Sequence, residues 1–408
     1  MKSPADALTA MRPVMRDNVP WMPVHHMRGG TSTGIVLHEK FMPDAWHLRE
    51  ELIKHLMGVA QEGQTQGNRQ VSGLGRGPAT SNKVFIVALG DGEKADINST
   101  LAQLAADRSA IDWSVNCGNM SAALPLFALD TGLFEPSEPV TDLRIYNTNT
   151  RVITDARMPM PFHLVSIDGV LGSFPEVFLS LREPAGAKTG QLLPTGQRQQ
   201  LIDGVPVTCL DVAVPMVIMP AESFGLTADE PPASLSRDDA LMQRVRSIWV
   251  QAGLAMGLKK PDGSAMTPDD LANSETIPKV CLVTQATAGG HLKVRYFTPQ
   301  QAHASMAVTG ACCLAAAALL PGTVANQYAR ELPSFGGDMA EHVVRIEHPA
   351  GCMIATVFGG LQAEAAQIPW VAYQRSAQIL LKGMAPLYQA SPALKAFFEN
   401  YSSSTQTG

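Results

Sequence analysis

Apolar residues fall in short runs along most of this chain, and only a few stretches show the three-to-four-residue spacing of an amphipathic helix. Runs at 83–89, 177–181, 205–210, 214–219, 279–283, 292–297, 343–346 and 353–358 have strand length and predict strands. Pro206 and Pro215 either weaken two of these strand readings or place them at sheet edges, because proline has no N–H for the ladder. Helical spacing places Leu48, Leu52, Leu56 and Met57 on one face of 45–60. A second helix opens at Ser236, Asp238 and Asp239 and passes Val245, Trp249 and Met256 to Gly257. A third is expected over 371–384.

Two further helices are small and apolar on most sides, which requires each to be surrounded by protein. One covers 119–129, follows Asn116-Cys117-Gly118 and is closed by Gly132. The other covers 309–320, follows Ala307-Val308 and is closed by Pro321-Gly322. Their similar approaches, about half a chain apart, hint at two like halves. A Pro/Gly-rich break at 183–190 separates an N-terminal domain (1–183) from a C-terminal one (184–390), with 391–408 as a flexible tail. The stretch 259–276 is expected to be an exposed insertion, turning at Pro261-Asp262-Gly263 and Thr267-Pro268-Asp269.

Composition narrows the class. Among 408 residues, 45% are hydrophobic and 17% charged, enough for a buried core. The net charge of −6 lacks the basic excess that nucleic acid or an anionic membrane would select. The first residues mix charge with alanine, unlike a signal peptide, and the apolar run 311–320 is too short to span a bilayer. Six cysteines without CxxC spacing imply neither a zinc site nor a disulfide framework, but reduced thiols of a cytoplasmic protein. No ligand cluster or phosphate loop is recognisable; His25-His26 and Glu347-His348 read as structural. No metal, nucleotide or flavin cofactor is therefore expected. Dialysis against a strong chelator should leave the rate unchanged, and a loss restored by a divalent metal would contradict this.

Four segments could carry chemistry. Met27-Arg28-Gly29-Gly30-Thr31-Ser32 offers backbone N–H groups, hydroxyls and a guanidinium to a carboxylate, unless it is only a turn before Ile35-Val36-Leu37. Asn116-Cys117-Gly118-Asn119-Met120-Ser121 opens a helix whose N-terminal field would favour a thiolate, a carboxylate or an enolate; an ordinary cap with a buried cysteine is the alternative. Lys83, after Thr80-Ser81-Asn82, starts an apolar strand; desolvated, its amine could act as a base, and otherwise it snorkels. Lys293, Arg295 and His303 precede Thr309-Gly310, where Arg295 could clamp a carboxylate and His303 donate to one. An exposed polar strand face is the plainer reading.

Together these segments resemble the 2-methylaconitate isomerase and 4-oxalomesaconate tautomerase family. The resemblance also draws on Leu193-Pro194-Thr195-Gly196, Pro278-Lys279 and His348-Pro349 before Gly351, in consistent order over about 20–385. It implies an α/β fold of the diaminopimelate epimerase type, two similar domains each wrapping a sheet around a central helix. It further implies cofactor-independent migration of a double bond, or its cis/trans isomerisation, within an aconitate-like di- or tricarboxylate, with Lys83 and Cys117 as the catalytic pair. Arg28, Gly29, Gly30, Thr31, Ser32, Ser81, Asn116, Gly118, Asn119, Met120, Ser121, Lys279, Arg295, His303, Thr309 and Gly310 would line the substrate. A small polycarboxylate is then the expected partner, and a homodimer is left open. Two departures stand out: Thr33 replaces a basic residue frequent in the family, and residues 259–276 are longer. Ala307 stands where true epimerases carry a second cysteine, and it can move no proton. That speaks against an amino-acid epimerase, whereas a non-catalytic polycarboxylate binder would use the same donors.

Overall fold

A computed structural model describes residues 11–77, 81–113, 115–260, 262–274 and 276–404, the side chains of 402–404 excepted. The chain divides into two units. One runs up to Leu179 and resumes at Arg375, and the other is Ser180–Gln374.

In the first unit β1 (Val14–Arg16) leads to β2 (Val19–Gly29) and β3 (Ser32–His38). Helix α1 (Trp46–Met57) then crosses to β4 (Lys83–Leu89), followed by β5 (Ile97–Leu104) and the short β6 (Ile111–Asp112). Helices α2 (Gly118–Ser121) and α3 (Ala123–Thr131) precede β7 (Val140–Asn147) and β8 (Val152–Pro159). A hairpin of β9 (Leu164–Ser166) and β10 (Ser173–Arg182) follows. The second unit repeats this plan. After β11 (Gln200–Ile202) come β12 (Val205–Val212) and β13 (Val214–Pro220), then α4 (Pro232–Arg237), α5 (Asp239–Ala255) and α6 (Pro268–Ala272). Next are β14 (Lys279–Thr284), β15 (Leu292–Thr298) and β16 (Gln301–Ala302), then α7 (Val308–Leu319) and α8 (Val324–Tyr328). The strands β17 (Ala340–His348), β18 (Gly351–Gln362) and β19 (Ala365–Pro386) complete it.

The duplication is explicit in the pairing. From β2 to β8 successive partners are antiparallel, parallel, antiparallel, antiparallel, parallel and antiparallel, with β5 serving both β6 and β7. From β12 to β18 the sequence of relations is the same, with β15 in the double role. Each parallel step needs a crossover: α1 and α5 lie in the first of these in their units, and α3 and α7 in the second. Each unit also holds one apolar helix. α3 buries residues 123–128, and α7 buries every residue but Thr309. Small side chains let α7 lie against β12, β13 and β18 at once. A Cβ at Gly310 would meet the Tyr296 ring at 2.4 Å, so only glycine admits that ring. The expectation of two like α/β units around central helices is met.

Four expectations need correction. The segment 371–384 is strand, not helix: its Ala, Gln and Leu residues favour helix locally, but 371–373 and 375–377 are buried. Pairing overrides propensity, with β18 along its first half and with β2 from Ala377 to Pro386. That second pairing also gives residues from Arg375 onward to the first unit rather than the second. The expected tail forms α9 (Pro392–Ser404), anchored by fully buried Leu394 and Phe398; 405–408 lie outside the described residues. Pro206 and Pro215 lie in interior strands, each second in its strand, where the ladder is just beginning. Residues 259–276 are not wholly exposed: α6 has a Thr267–Asp270 capping box, and buried Leu271 accepts a bond from Trp249 Nε1 at 3.0 Å.

Candidate active site

The β2–β3 hairpin pairs Gly29 with Ser32, leaving Gly30 and Thr31 as a two-residue turn. Gly30 has φ +53°, the left-handed value such tight turns require. The glycines also admit the start of α2. A Cβ at Gly29 would lie 2.5 Å from Asn119 O, and one at Gly30 2.3 Å from Asn119 Oδ1. Their N–H groups are thus not the open anion cradle expected, since Gly30 N–H already donates to Ser376 O at 2.9 Å.

Arg28 is held by the protein through Nε and Nη1, while its buried Nη2 has no hydrogen-bond partner among the described residues. It is buried, and its Nη1 donates to Gly30 O at 2.8 Å, to Ser376 O at 3.0 Å and to Ser376 Oγ at 3.3 Å. Nε reaches Gln378 Oε1 at 3.4 Å, and the guanidinium lies 4.6 Å from the Phe174 ring centre. Arg28 therefore locks the turn to β19.

Lys83 opens β4, opposite Gln103 of β5, and only 6% of it is exposed. A Cβ at Gly34 would lie 3.1 Å from Lys83 Cβ, so glycine on the neighbouring strand makes room for the lysine. Burial lowers the pKa of the ammonium, while the charge of Cys117 acts to raise it. Asn82, just before Lys83, is fully buried. Its Nδ2 donates to Gly77 O at 2.9 Å, and its carbonyl accepts from Gln103 Nε2 and Leu104 N–H, both at 3.0 Å. It secures the strand end that presents Lys83. Ser81, just before it, is half-buried.

Cys117 is the N-cap of α2, and its sulfur lies 4.0 Å from Oγ of buried Ser32. Asn116 Oδ1 accepts from Cys117 N–H at 2.7 Å, and Ser121 Oγ donates to Cys117 O at 3.0 Å. Gly118, Asn119 and Met120 form the first turn, and Ala122 stays in the right-handed region, so the path continues into α3. Arg375 was not singled out in the sequence. It is buried on β19, and its Nε donates to Asn119 Oδ1 at 2.9 Å.

The first unit therefore gathers Arg28 to Ser32, Lys83, Cys117 and the turn after it. The remaining expected residues belong to the second unit. Lys279 opens β14 as Lys83 opens β4, and Ala307 caps α7 where Cys117 caps α2. His303 Nδ1 accepts from Ser305 N–H at 2.9 Å, and its ring packs edge-on against Tyr296. Thr309 and Gly310 lie in the first turn of α7. Arg295 is no clamp: it is buried, with Nε donating to Glu230 O at 2.8 Å and Nη1 to Val294 O at 3.2 Å. Neighbouring Lys293 pairs with Asp229 at 2.9 Å.

Burial lowers Lys279 to about 8, and its charge joins burial in lowering His303. Between about 8 and the ordinary 10.5 the unfolded chain binds the extra proton, so stability rises with pH through that window. Lys279→Met should then stabilise the fold at pH 7 by up to about 3 kcal/mol, with the gain fading towards pH 10.5. Urea denaturation of both proteins across that range checks this, and a gain independent of pH would refute it.

Among the described residues no group of three His, Cys, Asp or Glu could hold a metal ion, and no helix is long and apolar enough to cross a membrane. The structure matches a crystal structure of methylitaconate-delta-isomerase with a TM-score of 0.77 and 26% identity, covering 92% of this chain and all of that one. A 4-oxalomesaconate tautomerase of Pseudomonas putida is 34% identical over 80% of this chain and 86% of its own. Escherichia coli YbhH is 36% identical over 81% and 90%, respectively. A 2-methyl-aconitate isomerase of Shewanella oneidensis is 27% identical over 88% and 94%. Fold and relatives together make this chain an isomerase. It belongs to the PrpF protein family, which residues 20–388 match.

Proposed function

We propose that the protein catalyses a 1,3-allylic proton shift in a small unsaturated di- or tricarboxylate, with Lys83 and Cys117 handling the proton. The observation that carries this reading is a buried lysine at a strand start and, in the same unit, a cysteine that caps a helix beside Ser32. Neutral Lys83 takes a proton from the carbon beside the double bond, and the electron pair spreads into the adjacent carboxylate as a dienolate. The Cys117 thiol gives its proton to the far end of the allyl unit, and the double bond comes to rest one carbon along. A proton passing from the Lys83 ammonium to the Cys117 thiolate restores both groups. Hydroxyls of Thr31 and Ser32 and the first-turn N–H groups of α2 stabilise the developing charge.

The relatives act, by name, on methylitaconate, oxalomesaconate and methylaconitate, acids that share an alkene conjugated to carboxylate. The test is to incubate the protein with each of these acids and aconitate, and to follow the vinyl and methylene protons by NMR. A migrated double bond in at least one acid is expected. Unchanged spectra for all of them would overturn the proposal.

A further inference from the structure

We infer that Arg375 is a positioning residue that turns the Thr31 hydroxyl into a dedicated donor for a substrate carboxylate. The inference rests on the reaction proposed above and adds a residue on which neither motif nor mechanism drew.

A guanidinium can only donate, so the Asn119 atom that meets Arg375 Nε at 2.9 Å must be the amide oxygen. That fixes the side-chain amide and aims its nitrogen at the turn, where Asn119 Nδ2 donates to Thr31 Oγ1 at 3.3 Å. Thr31 therefore accepts from asparagine, and its own proton is left to point elsewhere. Gly169, between β9 and β10, leaves room for the Thr31 methyl, since even an added Cβ there would come no nearer than 3.4 Å to Thr31 Cγ2. The Asn119 amide is the contact that orients the hydroxyl of this otherwise exposed threonine. What remains is its single O–H donor, in the turn that carries Ser32 towards Cys117, available to an acceptor such as a carboxylate.

The packing leaves little freedom for another arrangement. The Cβ position at Gly30 lies 2.3 Å from Asn119 Oδ1 and 3.0 Å from Arg375 Cδ. Gly30 N–H and Arg28 Nη1 both bind Ser376, the residue next to Arg375. The turn, the helix start and the β19 return thus fix one another, and the polarity of the chain Arg375, Asn119, Thr31 is set by its donor-only end. Reversing the middle link should destroy the function without dismantling the fold. In Asn119→Asp the carboxylate still accepts from Arg375 but has no proton for Thr31, whose hydroxyl would turn to donate to it.

The test is a mutant cycle read as KM and kcat separately, on whichever acid the wild type turns over. Thr31→Val, which keeps the shape and deletes the hydroxyl, should raise KM about tenfold or more and change kcat little, as loss of a hydrogen bond to a charged group does. Asn119→Asp should raise KM at least as much, and the double variant should be no worse than Asn119→Asp alone. Arg375→Met should raise KM in the wild-type background but not in the Thr31→Val background. A merely structural arginine would give multiplying losses instead, and that outcome overturns the assignment. So does a KM within twofold of wild type for Thr31→Val. Thr31 is exposed and Asn119 half-buried, so those two variants remain informative even if Arg375→Met fails to fold. Failure of the wild type to turn over any acid would instead sink the reaction proposal, and this inference with it.

Discussion

Lys83→Ala should lower turnover by about 10²–10⁴-fold, the usual cost of losing a positioned acid or base. It should also abolish exchange of the allylic carbon's proton with deuterated solvent, because the step lost is the abstraction itself. Two opposed effects act on Lys83: burial favours the neutral amine, and the nearby Cys117 charge favours the ammonium. Burial is the larger, so the pKa lies below the ordinary 10.5. Since only the neutral amine accepts a proton, the rising limb of the pH–rate profile should lie below that of a free lysine. If Lys83→Ala kept near-normal turnover and only weakened binding, the lysine would be an anion clamp and the assigned mechanism wrong.

The second large effect separates the two halves of the reaction. Cys117→Ser nearly preserves size but replaces the thiol by a hydroxyl, a far weaker acid. Net isomerisation should fall by about 10²-fold or more, within the range for a lost acid–base group. Exchange at the first carbon should persist, because Lys83 still makes the dienolate and returns solvent-derived deuterium to the same position. Proton NMR in deuterated water resolves both rates in one tube. Equal loss of exchange and isomerisation would show that Cys117 is needed at the first step, and the two roles would have to be exchanged.

What the sequence displayed was mainly local. Lys83 stands at the head of an apolar run, and Cys117 stands between an asparagine and a glycine before a small-residue helix; both signals need only a few neighbouring residues. The duplicated plan was visible only as two Ala-rich helices, since strand pairing between distant segments leaves no mark on either one. Arg375 illustrates the limit. It bonds to Asn119 across 256 positions, and the segment around it has the composition of a helix. Only pairing of the far half of β19 with β2 brings it to the turn. Arg28 shows the converse, because the motif marked an important residue but not what holds it. A guanidinium beside two glycines suggests an anion clamp but gives no sign of the backbone and hydroxyl acceptors that engage it. Arg295 was misread for the same reason, its acceptor Glu230 O lying 65 positions away.

The central claim is that a proton leaves one carbon of an unsaturated polycarboxylate and another arrives two carbons away. The most direct measurement is to run the wild-type reaction in deuterated water and locate the label in the first-formed product by NMR. A migrated double bond is expected, with deuterium at the newly protonated carbon, or protium where the abstracted proton is itself carried across. With Lys83→Ala either product should form about 10²–10⁴-fold more slowly. An acid that binds, yet shows neither migration nor exchange over many equivalents of enzyme time, would contradict the account and leave a polycarboxylate-binding protein in its place.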